Sequence, residues 1–501
     1  MRDTRYEIRG ISQSFEAIPD LLPIANCRVI LVTPVIIEVI HMKNRVNIIK
    51  YVYLSLFALI CLYLLYFNLF ESRVISSNSY NRRLRESSEN IIRGSILDRK
   101  GEVLAKSTKY KSGVRRKYIY PRYFSHVIGY SSKTYGSSGL EAFYNKELMN
   151  SSDTIETLKS KINDYFINGD NIKLTLDRSL QTYAVDQLRG RKGVVVVLRP
   201  ETGEILAMAS KPDFDPSGIQ NNWESLIKDK KSPLLNRSAE GLYPPGSIFK
   251  LVVTSSILKN GLQDVEIECT GEVNIDGYII KDSDGKAHGK LALAEALKHS
   301  CNSYFIKQGL RLGNNNMLSE AARFRFNKNI QTDMRISTSV FPNKINDKNV
   351  AEQSIGQGEI LMTPLHAALM AAAVANKGVM MQPYAVSSIT NGEGQTIKEF
   401  KPKQIGQVMD GKTAGIMKDM MVEVVKSGTG TKAKVSKVTV AGKTGTAEVG
   451  GDQKSHAWFV GFAPADNPKV AIAVLIENGG SGGSTAAPIA SRVLKKALSI
   501  K

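Results

Sequence analysis

Tyr51 to Phe70 (YVYLSLFALICLYLLYFNLF) runs for twenty residues without a formal charge, and no other feature restricts the possible folds of this chain as much. At 1.5 Å rise per residue, a helix of that length crosses the roughly 30 Å hydrocarbon layer of a bilayer. Tyrosines near both ends suit the two interfaces, and no small-residue cleavage site follows, so the run reads as an uncleaved anchor. Lys43, Arg45 and Lys50 precede it while Arg73, Arg82, Arg83 and Arg85 follow, so flanking charge does not orient it. Leu21 to Ile40 is a poorer span, because Arg28 and Glu38 would each cost a few kcal/mol at the membrane centre. Met42 begins an ordinary anchor start, and residues 1–41 read as a doubtful extension with Met42 as the true initiator. N-terminal sequencing that finds residues before Met42 would refute this.

The rest of the chain is globular in pattern. A length of 501 residues predicts two or more domains. With 67 Lys+Arg against 47 Asp+Glu the formal charge is +20, which suits a polyanionic neighbourhood such as anionic lipid or cell wall. The basic residues are dispersed and carry no nucleic-acid signature, so nucleic acid is not expected as a partner. Residues 42–50 read as a short cytoplasmic segment, 51–70 as the membrane helix and 71–90 as a linker. Residues 91–189 read as a juxtamembrane domain in which Asp98 to Gly101 turns between two short strands. Strand patterns at 193–198 and 204–209 open the domain 190–501, helical patterns dominate from Ser247 to about Asn376, and strands return near 435–449, 458–463 and 470–477 before a helix from Ala486. Strands at both sequence ends with helices between predict an α+β fold, an antiparallel sheet covered by helices.

Of four cysteines only Cys269 and Cys301 lie outside the apolar run and the N-terminal extension, and they read as unpaired thiols. The six histidines show no H-E-x-x-H or other ligand spacing, so neither a metal nor another cofactor is expected. Asp282-Ser-Asp-Gly285 begins like a calcium loop, but Lys286 takes the third ligand place and a polar turn is the reading. Gly428 to Lys432 and Gly479 to Gly483 lack phosphate-loop spacing and read as connecting loops. Glu359 and His456 read as structural as readily as catalytic.

Tyr243-Pro-Pro-Gly-Ser247-Ile-Phe-Lys250 places a breaker before an apolar helical run, so Ser247 starts a helix and Lys250 follows one turn on, on the same face. A lysine can take the serine proton only if its own pKa is lowered. Ser300-Cys301-Asn302 stands at a helix end, and Lys443-Thr444-Gly445-Thr446 lies in a strand pattern. S-x-x-K, S-x-N and K-T-G in that order form the signature of penicillin-recognising serine enzymes.

With these motifs, and with Arg93-Gly94 to Asp98-Arg99, Gly139-Leu-Glu141, Gln357-Gly358-Glu359, Thr363-Pro364 and Trp458 to Phe462, the chain resembles the class B penicillin-binding proteins from Met42 onward. The resemblance implies a penicillin-binding transpeptidase domain on a smaller, elongated pedestal of the dimerisation type, and a D,D-transpeptidase that cross-links peptidoglycan stem peptides ending in D-Ala-D-Ala and is acylated by β-lactams. It implies Ser247 as nucleophile, Lys250 as proton acceptor, Ser300 as proton relay to the leaving D-Ala and Asn302 as a guide for the stem-peptide amide. Lys443, Thr444 and Thr446 would hold the terminal carboxylate, Gly445 would permit close approach, and the N–H groups of Ser247 and Thr446 would form the oxyanion hole. An extracytoplasmic catalytic domain and a polytopic SEDS-type glycan polymerase as partner follow from the same resemblance. A β-lactamase, a β-lactam sensor and a non-catalytic scaffold are the rival readings; the first needs no anchor or pedestal, the second would carry several spans, and the third does not need the full catalytic set.

Overall fold

In the computed structural model, residues 25–67, 91–110, 113–149, 167–343 and 346–500 are described. They fall into two units, Met1–Ser76 and Ser77–Lys501. Among the described residues the first contains one helix, α1 (Ala25–Tyr66), within which Arg45–Tyr66 is long and apolar enough to cross a membrane and is not buried in the protein. The apolar stretch thus begins before Tyr51, because a helix carries Arg45 and Lys50 without breaking its backbone pattern. Residues 68–90, including the expected linker, lie outside the described residues.

In the second unit a five-stranded sheet organises the large domain. Its strands are β1 (Gly193–Leu198), β2 (Ile205–Lys211), β3 (Ala441–Ala447), β4 (His456–Ala463) and β5 (Val470–Ile476), in spatial order β2-β1-β5-β4-β3. Every neighbouring pair is antiparallel. The sequences GVVVVL and VAIAVLI are apolar throughout because both faces are covered. Side chains alternate across a strand, so Val194 and Val196 enter one core and Val195 and Val197 the other. The first core holds α2 (Lys250–Lys259), α3 (Leu293–His299), α4 (Asn302–Arg323), α5 (Pro364–Ala375) and α6 (Gly411–Lys426); the second holds α7 (Gly482–Leu498) and Arg178–Gln187. In α5 the run of small alanines lets the helix lie close to β1, β4 and β5. The expected covered antiparallel sheet is found.

A second sheet lies in the juxtamembrane part. Ile96–Leu97, Val103–Tyr110, Gly113–Tyr118 and Asn171–Leu174 form it, and Val386–Thr390 and Thr396–Glu399 extend it from far along the chain. The Asp98–Gly101 turn is closed by the Gly101 N–H on the Asp98 carbonyl at 3.0 Å, while Asp98 Oδ1 accepts the Lys100 and Glu102 amides at 2.8 Å each.

Candidate active site

Ser247 stands in a short 3₁₀ turn, Gly246–Phe249, that runs directly into α2. The turn is wedged between β3 and the segment around Gly356. Gly246 has φ +54°, and a Cβ there would come 2.4 Å from the Thr446 carbonyl oxygen. Its N–H donates to the Gly356 carbonyl at 2.9 Å, and Trp458 Nε1 donates to the Pro244 carbonyl at 3.0 Å. The helix start is therefore pinned from two sides, with Ser247 half-buried at the cleft.

Lys250 is fully buried, and its Nζ donates to the Ser300 carbonyl and to Asn302 Oδ1, both at 2.7 Å, with Ser300 Oγ at 3.4 Å. Two short acceptors satisfy both N–H bonds of a neutral amine and leave its lone pair free. Burial pushes this lysine down to about 8, against the opposing pull of Cys301 and Asp282. The Phe305 ring lies 5.3 Å from Nζ. Ser300 caps the end of α3 in a left-handed conformation, φ +60°, and Asn302 opens α4, so the S-x-N triplet is a junction between two helices rather than the end of one.

Lys443 comes from β3 and is likewise fully buried. Its Nζ donates to Ser300 Oγ at 2.8 Å and to the Thr444 carbonyl at 2.9 Å. Burial and the nearby Lys250 hold it well below the ordinary lysine range. The Ser300 hydroxyl therefore touches both amines. β3 is an edge strand, and Thr446 is exposed on it. Gly445 differs from expectation: a Cβ there would meet Ile248 Cγ2 at 2.9 Å and the Pro245 carbonyl at 3.1 Å, so the bare backbone seats the Ser247 turn against the strand.

Ser247, Ser300, Asn302, Thr444 and Thr446 line one cleft of about 810 Å³, a volume suited to a peptide end. Thr429, Lys432 and Ser481 also line it, from the two glycine-rich stretches read as connecting loops. Thr429 Oγ1 and Thr444 Oγ1 share a hydrogen bond at 2.7 Å. No motif spacing marks these loop residues, because they reach the site only through the packing of α6 and α7 beside β3. His456 is structural, its Nδ1 accepting the Asn478 amide at 3.1 Å.

A half-exposed serine one turn from a buried amine with a lowered pKa, beside an edge strand, is built for acyl transfer through a serine ester. Residues 193–495 match the family model described as penicillin binding protein transpeptidase domain, and residues 93–172 match that of the penicillin binding protein A dimerisation domain. The chain is 32% identical over 432 residues to the peptidoglycan D,D-transpeptidase PbpA of Mycolicibacterium smegmatis, covering 79% of this chain and 87% of the relative. It is 31% identical to MrdA of Acinetobacter baumannii, covering 75% of this chain and 66% of that one. The structure of penicillin-binding protein A from M. tuberculosis as a ceftriaxone acyl-enzyme superposes with a TM-score of 0.78 at 30% identity, over 83% of this chain and 100% of the other. The chain belongs to the penicillin-binding protein transpeptidases, and within them to class B.

Proposed function

We propose that this D,D-transpeptidase uses Ser247 as its nucleophile and Lys250 as the base that activates it. The observation carrying this is the buried Lys250 amine, donating to Ser300 and Asn302 with its pKa pushed to about 8. Ser247 Oγ attacks the carbonyl of the penultimate D-Ala of a stem peptide, and its proton passes to Lys250. The N–H groups of Ser247 and Thr446 take the oxyanion, an interaction whose loss typically costs about 3–4 kcal/mol. Ser300 then hands a proton to the departing D-Ala amine, leaving the serine ester. An acceptor amine attacks that ester, forms the new amide and returns the hydroxyl to Ser247.

Lys443, Thr444 and Thr446 hold the terminal carboxylate. Its negative charge favours the ammonium form of Lys443, and Ser300, bonded to both amines, offers a path for a proton from Lys250 to Lys443. Substrate arrival would thus prepare the base. Asn302 guides the stem-peptide amide, and the free edge of β3 offers main-chain pairing to an extended peptide.

Residues 91–189 serve as pedestal and 190–501 as catalytic domain, a division supported by the two family-model segments. The apolar helix holds the chain in the membrane with the catalytic domain outside, where peptidoglycan is assembled, beside a SEDS-type glycan polymerase. Incubation of the full chain with labelled penicillin tests the chemistry: a stable adduct on Ser247 is expected, absent in Ser247→Ala. Rapid release of hydrolysed drug would mark a β-lactamase instead.

A further inference from the structure

At the β2 edge of the catalytic sheet, the edge away from β3, a groove of about 670 Å³ is lined by six cations: Arg122, Arg189, Arg191, Lys192, Lys211 and Lys231. Three carboxylates share the lining, which leaves an excess of three positive charges. Asp213 is taken by Lys211 and, at 3.6 Å, by Arg122. Asp215 Oδ1 accepts the Ser217 amide and Asp229 Oδ1 the Lys231 amide, both at 2.8 Å, so these two close their own turns. Arg189 turns to Asp186 at 3.0 Å. Among the described residues, Arg191, Lys192 and Lys231 have no ion pair.

The walls that carry these charges are anchored. The Lys192 carbonyl accepts the Glu477 amide at 2.9 Å. The Glu477 carboxylate accepts Arg237 Nε at 2.7 Å, and Arg237, almost wholly buried, donates to the Lys231 carbonyl at 2.6 Å and the Ser232 carbonyl at 2.9 Å. Through Glu477 the segment 189–192 is thus joined to the loop 228–232. The neighbouring Pro233 carbonyl meets His126 Nε2 at 2.8 Å. Anchors of this kind keep like charges together instead of letting them spread, and an anion between them removes the repulsion.

We propose that this groove binds a linear polyol phosphate, a phosphodiester chain with one negative charge per repeat. Six cations around one groove exceed what a single phosphate can reach, and the three arginines present planar forks that match the two free oxygens of a phosphodiester. The one aromatic side chain of the lining, Phe214, is buried, so no exposed ring is offered for stacking a nucleobase, and a chain without bases is the better fit. Lys211, Gly193, Ile476, Ala457 and Thr446 are successive partners across the sheet. Four strand spacings of about 4.8 Å put the groove roughly 19 Å from the active-site edge. A bound polymer therefore runs beside the cleft without entering it and holds the enzyme to an anionic matrix. This goes beyond the acyl transfer proposed above; only the meeting with such a polymer outside the membrane rests on that reading.

The test uses the full chain in detergent and labelled poly(glycerol phosphate), with binding read by fluorescence anisotropy. Affinity should fall about 20- to 50-fold between roughly 50 and 200 mM salt, as the release of about three or four counter-ions dictates. Combining Arg191→Ala, Lys192→Ala and Lys231→Ala should weaken binding about tenfold or more and leave labelled-penicillin acylation unchanged. A second triple variant, Lys398→Ala with Lys401→Ala and Lys403→Ala, removes the same charge from exposed positions outside the groove and should bind as wild type does. Should the groove variant fail to fold, hydrogen exchange on wild type decides, with the polymer expected to protect the amides of 189–192 and 228–232. No binding at the lower salt, undiminished binding in the groove variant, equal loss in both triple variants, or no protection of those amides would each overturn the site. Polyglutamate or single-stranded DNA bound as tightly would overturn the choice of a polyol phosphate. Polymer binding by a chain that forms no penicillin adduct would count against the acyl-transfer reading and for this site.

Discussion

Lys250→Ala is expected to slow acylation by labelled penicillin by roughly 10²- to 10⁴-fold, the range that a positioned general base contributes. The side chain is fully buried and its amine meets two acceptors at 2.7 Å, so water filling the vacated space is too weak a base to replace it. The pH dependence separates a base from a structural prop. Catalysis needs the unprotonated amine, so with its pKa near 8 the wild-type rate should rise as pH increases through that value and then level off. In Lys250→Ala the residual rate should lose this inflection, and a small alkylamine in solution should recover part of it. Thermal unfolding accompanies the rates, because the truncation leaves a cavity and two unsatisfied acceptors. A variant that acylates at the wild-type rate, or a wild-type rate flat from below to above pH 8, would refute the assignment.

The i, i+3 spacing of Ser247 and Lys250 is legible in sequence because both lie on one turn, where local geometry dictates the face. Strands β1 and β5 are legible for a similar reason: a run of β-branched residues flanked by turns has few other uses. What stayed hidden depends on distant packing. Ser300 and Lys443 are 143 positions apart, and nothing local shows that one hydroxyl bridges two lysines. Gly445 looked like room for a ligand, but its missing side chain accommodates Ile248, a neighbour set by the tertiary fold. Thr429 and Ser481 sit in stretches whose glycines signal only a loop. Val386–Thr390 and Thr396–Glu399 pair into a sheet begun almost 300 residues earlier, an order no periodicity can reveal.

Glu141→Gln should destabilise the pedestal by about 3–5 kcal/mol, the usual cost of stripping one partner from a buried ion pair. Glu141 is fully buried between two arginines: Arg93 Nε reaches Oε2 at 2.5 Å and Arg116 Nε reaches Oε1 at 2.7 Å. Arg93 also donates to the Glu141 carbonyl and to Asn145 Oδ1, while Arg116 donates to the Gly94 carbonyl at 2.7 Å. One carboxylate thus ties the segment entering the first pedestal strand, the strand Gly113–Tyr118 and the helix Gly139–Phe143. Burial alone would raise the pKa of Glu141, but Arg116 and Arg93 outweigh it and hold the carboxyl below its ordinary value of 4.5. A lowered folded pKa means that the unfolded chain binds the proton more readily, so this stabilisation is present above about 4.5 and fades as pH falls through the lower, folded value. Wild type should therefore lose stability on acidification where Glu141→Gln, already lacking the charge, loses less. Denaturant unfolding of both proteins from pH 7 to pH 3 measures the difference, and parallel curves would show that the triad contributes no pH-dependent stability. Penicillin acylation should survive in Glu141→Gln under conditions where it stays folded, since the triad lies in the pedestal and contributes no group to the cleft around Ser247.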